Sequence, residues 1–495
     1  MRFTSTRSRC EAGASQAIAQ GLADDGGLFV PTEFPAFTAE DFAKLTECSY
    51  VERAEAVLSR YLTDFTAEEI RHAVTSAYTG TFDHEEPAPL KEVSPGTHML
   101  ELWHGPTCAF KDMALQLLPY LLTTAAGKAA SGKTIVILVA TSGDTGKAAL
   151  DGFANVPGTR IVVFYPRDGV SAMQKRQMTT QTGDNVTVCA IEGNFDNAQT
   201  GVKMIFSDEA MKAELAAAGM EFSSANSINF GRLVPQIVYY VSAYCDLLKE
   251  GRLQPGEGFH VAVPTGNFGN ILAAVYASKM GVPIRKFLCA SNRNCILTDF
   301  IRTGVYDRNR EFYTTTSPSM DILISSNLER MLYHLYGNDP AAVAQLMADL
   351  KEQGKYTVTP EVLQKLQETF VGGWCDDAAV EKTIRNMFCN HHYLCDTHTA
   401  VALKVLDDYR AETGDDTPCV VASTASPYKF APAVLSAICK DALPDDEFAM
   451  VELLSELSGT PVPAPLAGLR HSEVLHKDCI AKEAMADFVR KTLQK

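Results

Sequence analysis

One lysine in this chain is placed to work as an amine rather than as a solvated charge. Lys111 lies between Phe110 and Asp112 in the stretch LELWHGPTCAFKDMALQLL, residues 100–118. Gly105 and Pro106 before it break regular structure. After it, Met113, Ala114, Leu117, Leu118, Tyr120 and Leu121 recur at helical spacing. A loop therefore delivers Lys111 to the start of an apolar helix. Burial there disfavours the charged form and lowers the pKa, which makes a lysine a usable nucleophile and proton carrier.

Two Gly-rich loops supply a reason for such an amine. TSGDTG (141–146) follows the apolar run TIVILVA and precedes an alanine-rich helix. A strand, a tight turn and a helix start make an anion site from backbone amides and the helix dipole. Ser142 and Thr145 add hydroxyl donors. TGNFGN (265–270) follows FHVAVP in the same way, and Gly266 and Gly269 let the backbone approach an anion unobstructed. This loop is not G-x-G-x-x-G, and no acid is placed for a ribose. A third loop, STASPYK (423–429), puts hydroxyls at the end of the run PCVVA. Together, two such loops and one lysine point to a phosphate-bearing cofactor.

Two other patterns do not carry chemistry. GKAASGKT (127–134) matches the nucleotide-binding G-x-x-x-x-G-K-[ST], but a working P-loop follows a strand and opens a helix. Here a helical segment precedes and a strand follows, so Lys133 leads into that strand. Cys389, His391, His392 and Cys395 lack the paired spacing and second ligand pair of a zinc site. They read as thiols and ordinary histidines, and no metal is expected.

The elements that must position these loops are α/β in kind. Apolar β-rich runs occur at 134–141, 159–166, 185–191, 259–265, 286–291 and 418–424, separated by helical segments. Continuous Val/Ile runs alternating with helices indicate parallel strands covered on both faces. Ligands in such folds sit at the carboxyl ends of the strands. Residues 1–94 read as a mainly helical leading domain, with Thr66 fitting an N-cap. Residues 95–327 and 396–443 read as the α/β core, 328–395 as a helical insertion without strand signals, and 444–495 as a tail with a closing helix.

The 495 residues are 46% hydrophobic, enough for a sizeable core. With 44 basic and 60 acidic residues the net charge is -16, which argues against nucleic acid or an anionic membrane as partner. The thirteen cysteines are odd in number and have no framework spacing, as expected of reduced thiols in a cytoplasmic enzyme. No apolar run reaches the ~18 residues of a membrane span. The N-terminus lacks the apolar run of a signal peptide.

HGPTCAFKDMALQLL, ATSGDTGKAAL, PTGNFGNILAA and STASPYKFAPAV, in that order, resemble the threonine synthase family in its longer bacterial and fungal form. STR (5–7), DGGLFVP (25–31), QMTT (177–180), NSIN (226–229) and MDILISSNLER (320–330) extend the likeness over most of the chain. The resemblance implies pyridoxal 5′-phosphate on the fold of tryptophan synthase β. It also implies a lyase turning O-phospho-L-homoserine and water into L-threonine and phosphate, with no obligate protein partner. A related phospho-lyase that stops after phosphate release is the alternative. By the same resemblance Lys111 carries the cofactor as a Schiff base and Gly266, Asn267, Phe268 and Gly269 hold its phosphate. Thr424 then faces the pyridine nitrogen, and Asp144 lies beside the ring. Ser142, Gly143 and Thr145 would grip the substrate's anionic end. Arg232 is the candidate cation for the substrate phosphate, with Lys147 second. The chain departs from the family pattern at Ser426 and Tyr428, where histidine and alanine are expected.

Overall fold

The Val/Ile runs form two separate sheets, and Lys111 lies in the connection that leaves one and enters the other. A computed structural model describes residues 1–129 and 132–494. Two short strands open the chain, β1 (Phe3–Ser5) and β2 (Phe29–Pro31). Then follow β3 (Leu90–Ser94), β4 (Thr97–Glu101), β5 (Thr134–Ala140), β6 (Thr159–Pro166), β7 (Val186–Glu192) and β8 (Met220–Ser223). The second half adds β9 (Phe259–Pro264), β10 (Ile284–Ser291), β11 (Val305–Asp307) and β12 (Lys355–Thr357). It closes with β13 (Phe370–Trp374), β14 (Cys419–Ser423) and β15 (Cys479–Ala481).

The larger sheet has the order β13-β10-β9-β14-β4-β3, parallel except for β3. The smaller, β15-β7-β6-β5-β8, is parallel throughout. Both are packed with helices on their faces, as continuous apolar strands require.

Three boundaries differ from the sequence reading. β3 lies within the leading 94 residues yet pairs antiparallel with β4 in the larger sheet. β13 falls in the segment read as a helical insertion, but it is the parallel edge strand beside β10. Its sequence FVGGW hides the strand, because Gly372 and Gly373 are pressed between helices. A Cβ on Gly372 would meet Thr298 Cα at 3.0 Å, and one on Gly373 would meet Val405 Cγ1 at 2.6 Å. The tail likewise contributes β15 to the smaller sheet before its closing helix Met485–Leu493.

Apart from β3 and the β1–β2 pair, the regular elements of the leading segment are helices. Its helices Ala39–Thr46, Tyr50–Tyr61 and Ala67–Tyr78 each start at a Ser or Thr in a reciprocal capping box, Thr66 included. The helix Leu118–Lys128 precedes β5, so the P-loop-like stretch runs helix to strand. Its Ala130 and Ser131 lie outside the described residues. Lys133 sits 3.6 Å from Glu221, as a surface ion pair. Among the described residues no helix is long and apolar enough to cross a membrane.

The tightest contact behind the site is at Gly152, on the helix Asp144–Phe153. A Cβ there would lie 2.0 Å from the Leu115 carbonyl oxygen, in the turn that carries Lys111. Gly152→Ala adds about 1 kcal/mol of helix propensity, but it forces these two elements apart. The expected result is net destabilisation of about 1–3 kcal/mol. Urea unfolding checks this, and an unchanged or raised midpoint would contradict it.

Candidate active site

Lys111 is fixed beside the third loop by backbone pairing. Ala109 bridges Ala425, Phe110 N–H donates to the Thr424 carbonyl at 2.8 Å, and Ser426 N–H donates to the Cys108 carbonyl at 3.0 Å. This short ladder brings the amine next to Thr424, whose hydroxyl bonds to no other described residue. Lys111 then leads into the short helix Asp112–Leu115. Its Nζ stands 4.7 Å from the Phe110 ring centroid. The side chain keeps a partial opening to solvent, but surrounding atoms desolvate the amine. Burial lowers its pKa, Asp144 pulls the other way, and Lys429 and Arg232 lower it further. The balance thereby moves toward the neutral amine, the direction expected of a buried lysine.

The neighbouring Asp112 is 0% exposed. Burial raises its pKa to about 6, against hydrogen bonds from Thr107 N–H at 2.8 Å and Thr107 Oγ1 at 2.6 Å. Gly105 exists for this packing, since a Cβ would sit 2.6 Å from Asp112 Cβ.

A buried ion pair joins the two sheets. Lys429, after β14, contacts Asp144, after β5, at 2.7 Å, and both side chains are almost wholly buried. Lys429 Nζ also donates to the Thr107 carbonyl at 2.8 Å, and Gln174 Nε2 donates to Asp144 Oδ1 at 3.0 Å. Burial alone would raise Asp144, but Lys429 and Lys111 hold it well below the usual carboxylate range. Asp144 thus enters the site as half of a pair.

In the TSGDTG loop, Thr141 Oγ1 accepts from Gly143 N–H at 3.0 Å and Gly146 N–H at 2.9 Å. Gly143 is the strained point, with φ +152° and a Cβ that would lie 2.5 Å from Gln174. Ser142 is exposed, Thr145 is half-buried, and neither hydroxyl bonds within the described residues. Those two are open to a ligand. Lys147 is not, since it is buried against Asp151 at 3.0 Å and also bonds Gln181.

The TGNFGN loop differs in detail from the sequence reading. The left-handed residue is Phe268, at φ +61°, rather than either glycine. Such a conformation strains a bulky side chain and persists only where packing enforces it. Phe268 is 2% exposed and stacks on Phe370 at 5.7 Å. Close approach belongs to Gly266, where a Cβ would meet the Ser319 carbonyl oxygen at 2.9 Å. At Gly269 the nearest atom is a side-chain nitrogen at 3.4 Å. The helix Gly269–Lys279 starts here, so its first amides face the loop.

Two buried donors test whether a phosphate-bearing group fits. Arg232 is 4% exposed, bonds the Ala225 carbonyl at 2.8 Å, and leaves Nε unpartnered. It makes no ion pair among the described residues and sits in the first turn of the helix Phe230–Lys249, where the dipole disfavours a cation. Burial lowers its pKa to about 10. Asn270 Nδ2 is likewise buried and unpartnered, its Oδ1 being taken by Tyr240. Unsatisfied buried donors cost about 1–3 kcal/mol each unless something accepts from them. An anion does so, and the residues fit pyridoxal phosphate and a phosphorylated substrate.

Sequence reasoning missed several residues that shape this site. The sequence reading assigns no role to Asp396, His398 and Thr399, and meets Asn327 only within the MDILISSNLER likeness. Asn327 N–H donates to the Asn267 carbonyl at 3.0 Å and so holds the TGNFGN loop. Cys389 is exposed and Cys395 buried, and among the described residues no group of His, Cys, Asp and Glu is placed to hold a metal.

Comparison with known proteins gives consistent matches along the chain. Residues 2–78 match the family model Threonine synthase N terminus, 84–424 Pyridoxal-phosphate dependent enzyme, and 399–471 Threonine synthase, C-terminal. Threonine synthase-like 1 of Homo sapiens is 41% identical over 457 residues, 90% of this chain but 61% of that relative. The chain therefore spans about three-fifths of that protein's length. Threonine synthase of Pseudomonas aeruginosa is 38% identical over 435 residues, 88% of this chain and 90% of its own. The pyridoxal-phosphate-bound threonine synthase of Brucella melitensis superposes with a TM-score of 0.89 at 37% identity, covering 100% of both chains.

Asp112 sets a pH dependence that can be isolated. Its folded pKa of about 6 lies above the ~3.9 of an unfolded aspartate. The native state therefore binds more protons between those values, and stability falls as pH rises through that window. The full effect is about 3 kcal/mol, at 1.36 kcal/mol per unit. In Asp112→Asn this component should be missing. Urea unfolding of both proteins at pH 4 and pH 7 measures it, and equal pH dependence in the two would refute the assignment.

Proposed function

Because the chain belongs to the threonine synthase family of pyridoxal-phosphate-dependent enzymes, we propose that it converts O-phospho-L-homoserine and water into L-threonine and phosphate. The observation that carries this reading is Arg232, a buried guanidinium with an unpartnered Nε that acts on the charge of the desolvated Lys111. An enzyme of this cofactor that handles a phosphorylated substrate needs a second anion site beside its lysine, and Arg232 supplies one. The thirteen free thiols suit the reducing conditions of a cytoplasmic enzyme.

The cofactor, when bound, supplies an electron sink for the pair released at the substrate's Cα. Lys111 would anchor it, Gly266, Asn267, Phe268 and Gly269 would receive its phosphate, and the free Thr424 hydroxyl would serve its ring nitrogen, leaving that nitrogen less fully protonated than a carboxylate would. Asp144, its charge already balanced by Lys429, would lie on the same side of the pocket as the ring. Ser142 and Thr145, on the loop shaped by Gly143, take the substrate's anionic end. Arg232 offers a planar fork to the departing phosphate, a geometry suited to bidentate contact. The Lys111 amine, whose pKa burial lowers, would take a proton from Cα and one from Cβ, so that the pair left at Cβ expels phosphate from Cγ. It would then return one proton to Cγ and one to Cα as water adds its hydroxyl at Cβ and gives up its own proton.

A second reading is phosphate release without hydroxylation, and the wall after Thr424 is where this chain departs from the family pattern. Ser426 Oγ is buried without a partner, and Tyr428 reaches away to the Thr460 carbonyl at 2.5 Å. Product analysis separates the readings: L-threonine supports the first, while phosphate with a keto acid supports the second.

Lys111→Ala should abolish borohydride trapping of the cofactor and cost more than the ~10²–10⁴ of a single acid–base residue. Near-normal turnover in this variant would sink the reading. Arg232→Ala should raise KM for phosphohomoserine with cofactor affinity unchanged, and weakened cofactor binding with unchanged KM would reassign Arg232 to the cofactor.

A further inference from the structure

Asp396 lies outside every residue assigned above, yet it is 0% exposed and hydrogen-bonded at both oxygens. It caps the helix Thr397–Thr413. Oδ2 accepts from the His398 N–H at 2.9 Å and from His398 Nδ1 at 2.7 Å. Oδ1 accepts from the Thr399 N–H at 3.1 Å and from Thr399 Oγ1. A helix cap needs only the backbone bonds. The two side-chain bonds fix His398 and Thr399 in addition.

From His398 the contacts run to the Gly266 loop. Nε2 accepts from the Ser319 N–H at 3.1 Å. A backbone N–H can only donate, so Nε2 carries no proton and the ring proton lies on Nδ1, toward Asp396. The Ser319 carbonyl oxygen then stands against Gly266, where a Cβ would lie 2.9 Å from it. From Thr399 the contacts run the other way. Its hydroxyl proton goes to Asp396, and its oxygen accepts from the Thr424 N–H at 3.3 Å.

We propose that Asp396 is a positioning residue that sets the two ends of the cofactor pocket relative to each other. Through His398 and Ser319 it holds the wall against which Gly266 lies, and through Thr399 it holds Thr424. A carboxylate is required because it alone accepts four donors without returning one. In Asp396→Asn the new amide would present N–H groups to a partner that must donate. With the amide nitrogen on the His398 side it would force that ring's proton onto Nε2, against the Ser319 N–H; with it on the Thr399 side it would set two donors against the Thr399 N–H. The inference rests on the assignment of Gly266 to the cofactor phosphate and Thr424 to the ring.

The test uses the full chain, with dialysis against cofactor-free buffer followed by absorbance titration with pyridoxal phosphate. His398→Ala should weaken binding about tenfold or more, the effect of stranding one buried donor, with the bound absorption maximum unchanged. His398→Gln, whose Oε1 can accept from Ser319, should recover most of that loss. Thr399→Val should instead shift the bound absorption maximum and its pH dependence, and Thr399→Ser should restore both. Asp396→Asn should show the two effects together. Equal losses in His398→Ala and His398→Gln would make the side chain a space-filler and overturn the inference. So would wild-type affinity and spectrum in Asp396→Asn. Gly266→Val distinguishes the two levels of argument. If it loses binding while Asp396→Asn does not, the pocket assignment stands and the role of Asp396 falls. If Gly266→Val binds like wild type, the pocket assignment falls and the inference with it.

Discussion

The buried pair of Lys429 and Asp144 is the constraint around which the site is assembled. Taking both charges out of water costs several kcal/mol apiece, and close geometry with every remaining donor and acceptor satisfied is needed to offset it. The protein supplies a 2.7 Å contact, with the Thr107 carbonyl on the lysine and Gln174 on the carboxylate. Each partner follows a strand of a different sheet. The pair therefore fixes how β5 and β14 face one another, and Thr107 ties the approach to Lys111 to the same point. Losing either partner strands a charge in an apolar interior, so the arrangement is held as a unit.

Against that balanced pair, two cations stay unbalanced. Lys111 and Arg232 lie near it with no carboxylate of their own among the described residues. In one, burial lowers the pKa toward the neutral form that chemistry at a carbon acid requires. The other stays charged and keeps an unused donor, which recognition of an anion requires. The same physics, desolvation, gives opposite outcomes because an ammonium deprotonates within reach of neutral pH and a guanidinium does not.

Arg330 shows what a buried arginine looks like when its role is structural. It is also fully buried and also lacks an ion pair among the described residues. Yet its donors reach the Phe29 carbonyl at 2.9 Å, Asn327 Oδ1 at 2.5 Å and the Ile228 carbonyl at 2.6 Å. Next to it, Glu329 accepts from Thr6 at 2.5 Å and from Arg7 at 2.7 and 2.8 Å. The STR segment at the N-terminus is thus sewn to the helix Leu328–Leu335, and Asn327 passes that anchorage to the TGNFGN loop. Arg330 thus spends its donors on the scaffold, whereas Arg232 keeps its Nε unused.

The parts of this protein that depend on local physics were legible in its residues alone. Runs such as TRIVVFYP match their strand to the residue, because a β-strand covered on both faces needs little beyond continuous apolar character. The loop-to-helix placement of Lys111 and the two Gly-rich turns were legible for the same reason: glycine, proline and helical periodicity act over a few residues. Tertiary structure decided what depends on partners distant in the chain. FVGGW became an edge strand because Thr298 and Val405 leave no room for a side chain, a crowding that erases the apolar pattern. Lys147 proved a buried structural cation and Arg232 an open one, although both are basic residues near a helix start. Only packing decides which donors find acceptors, and nothing local in the sequence marks Asp396, whose partners His398 and Thr399 meet Ser319 and Thr424 only in the folded chain.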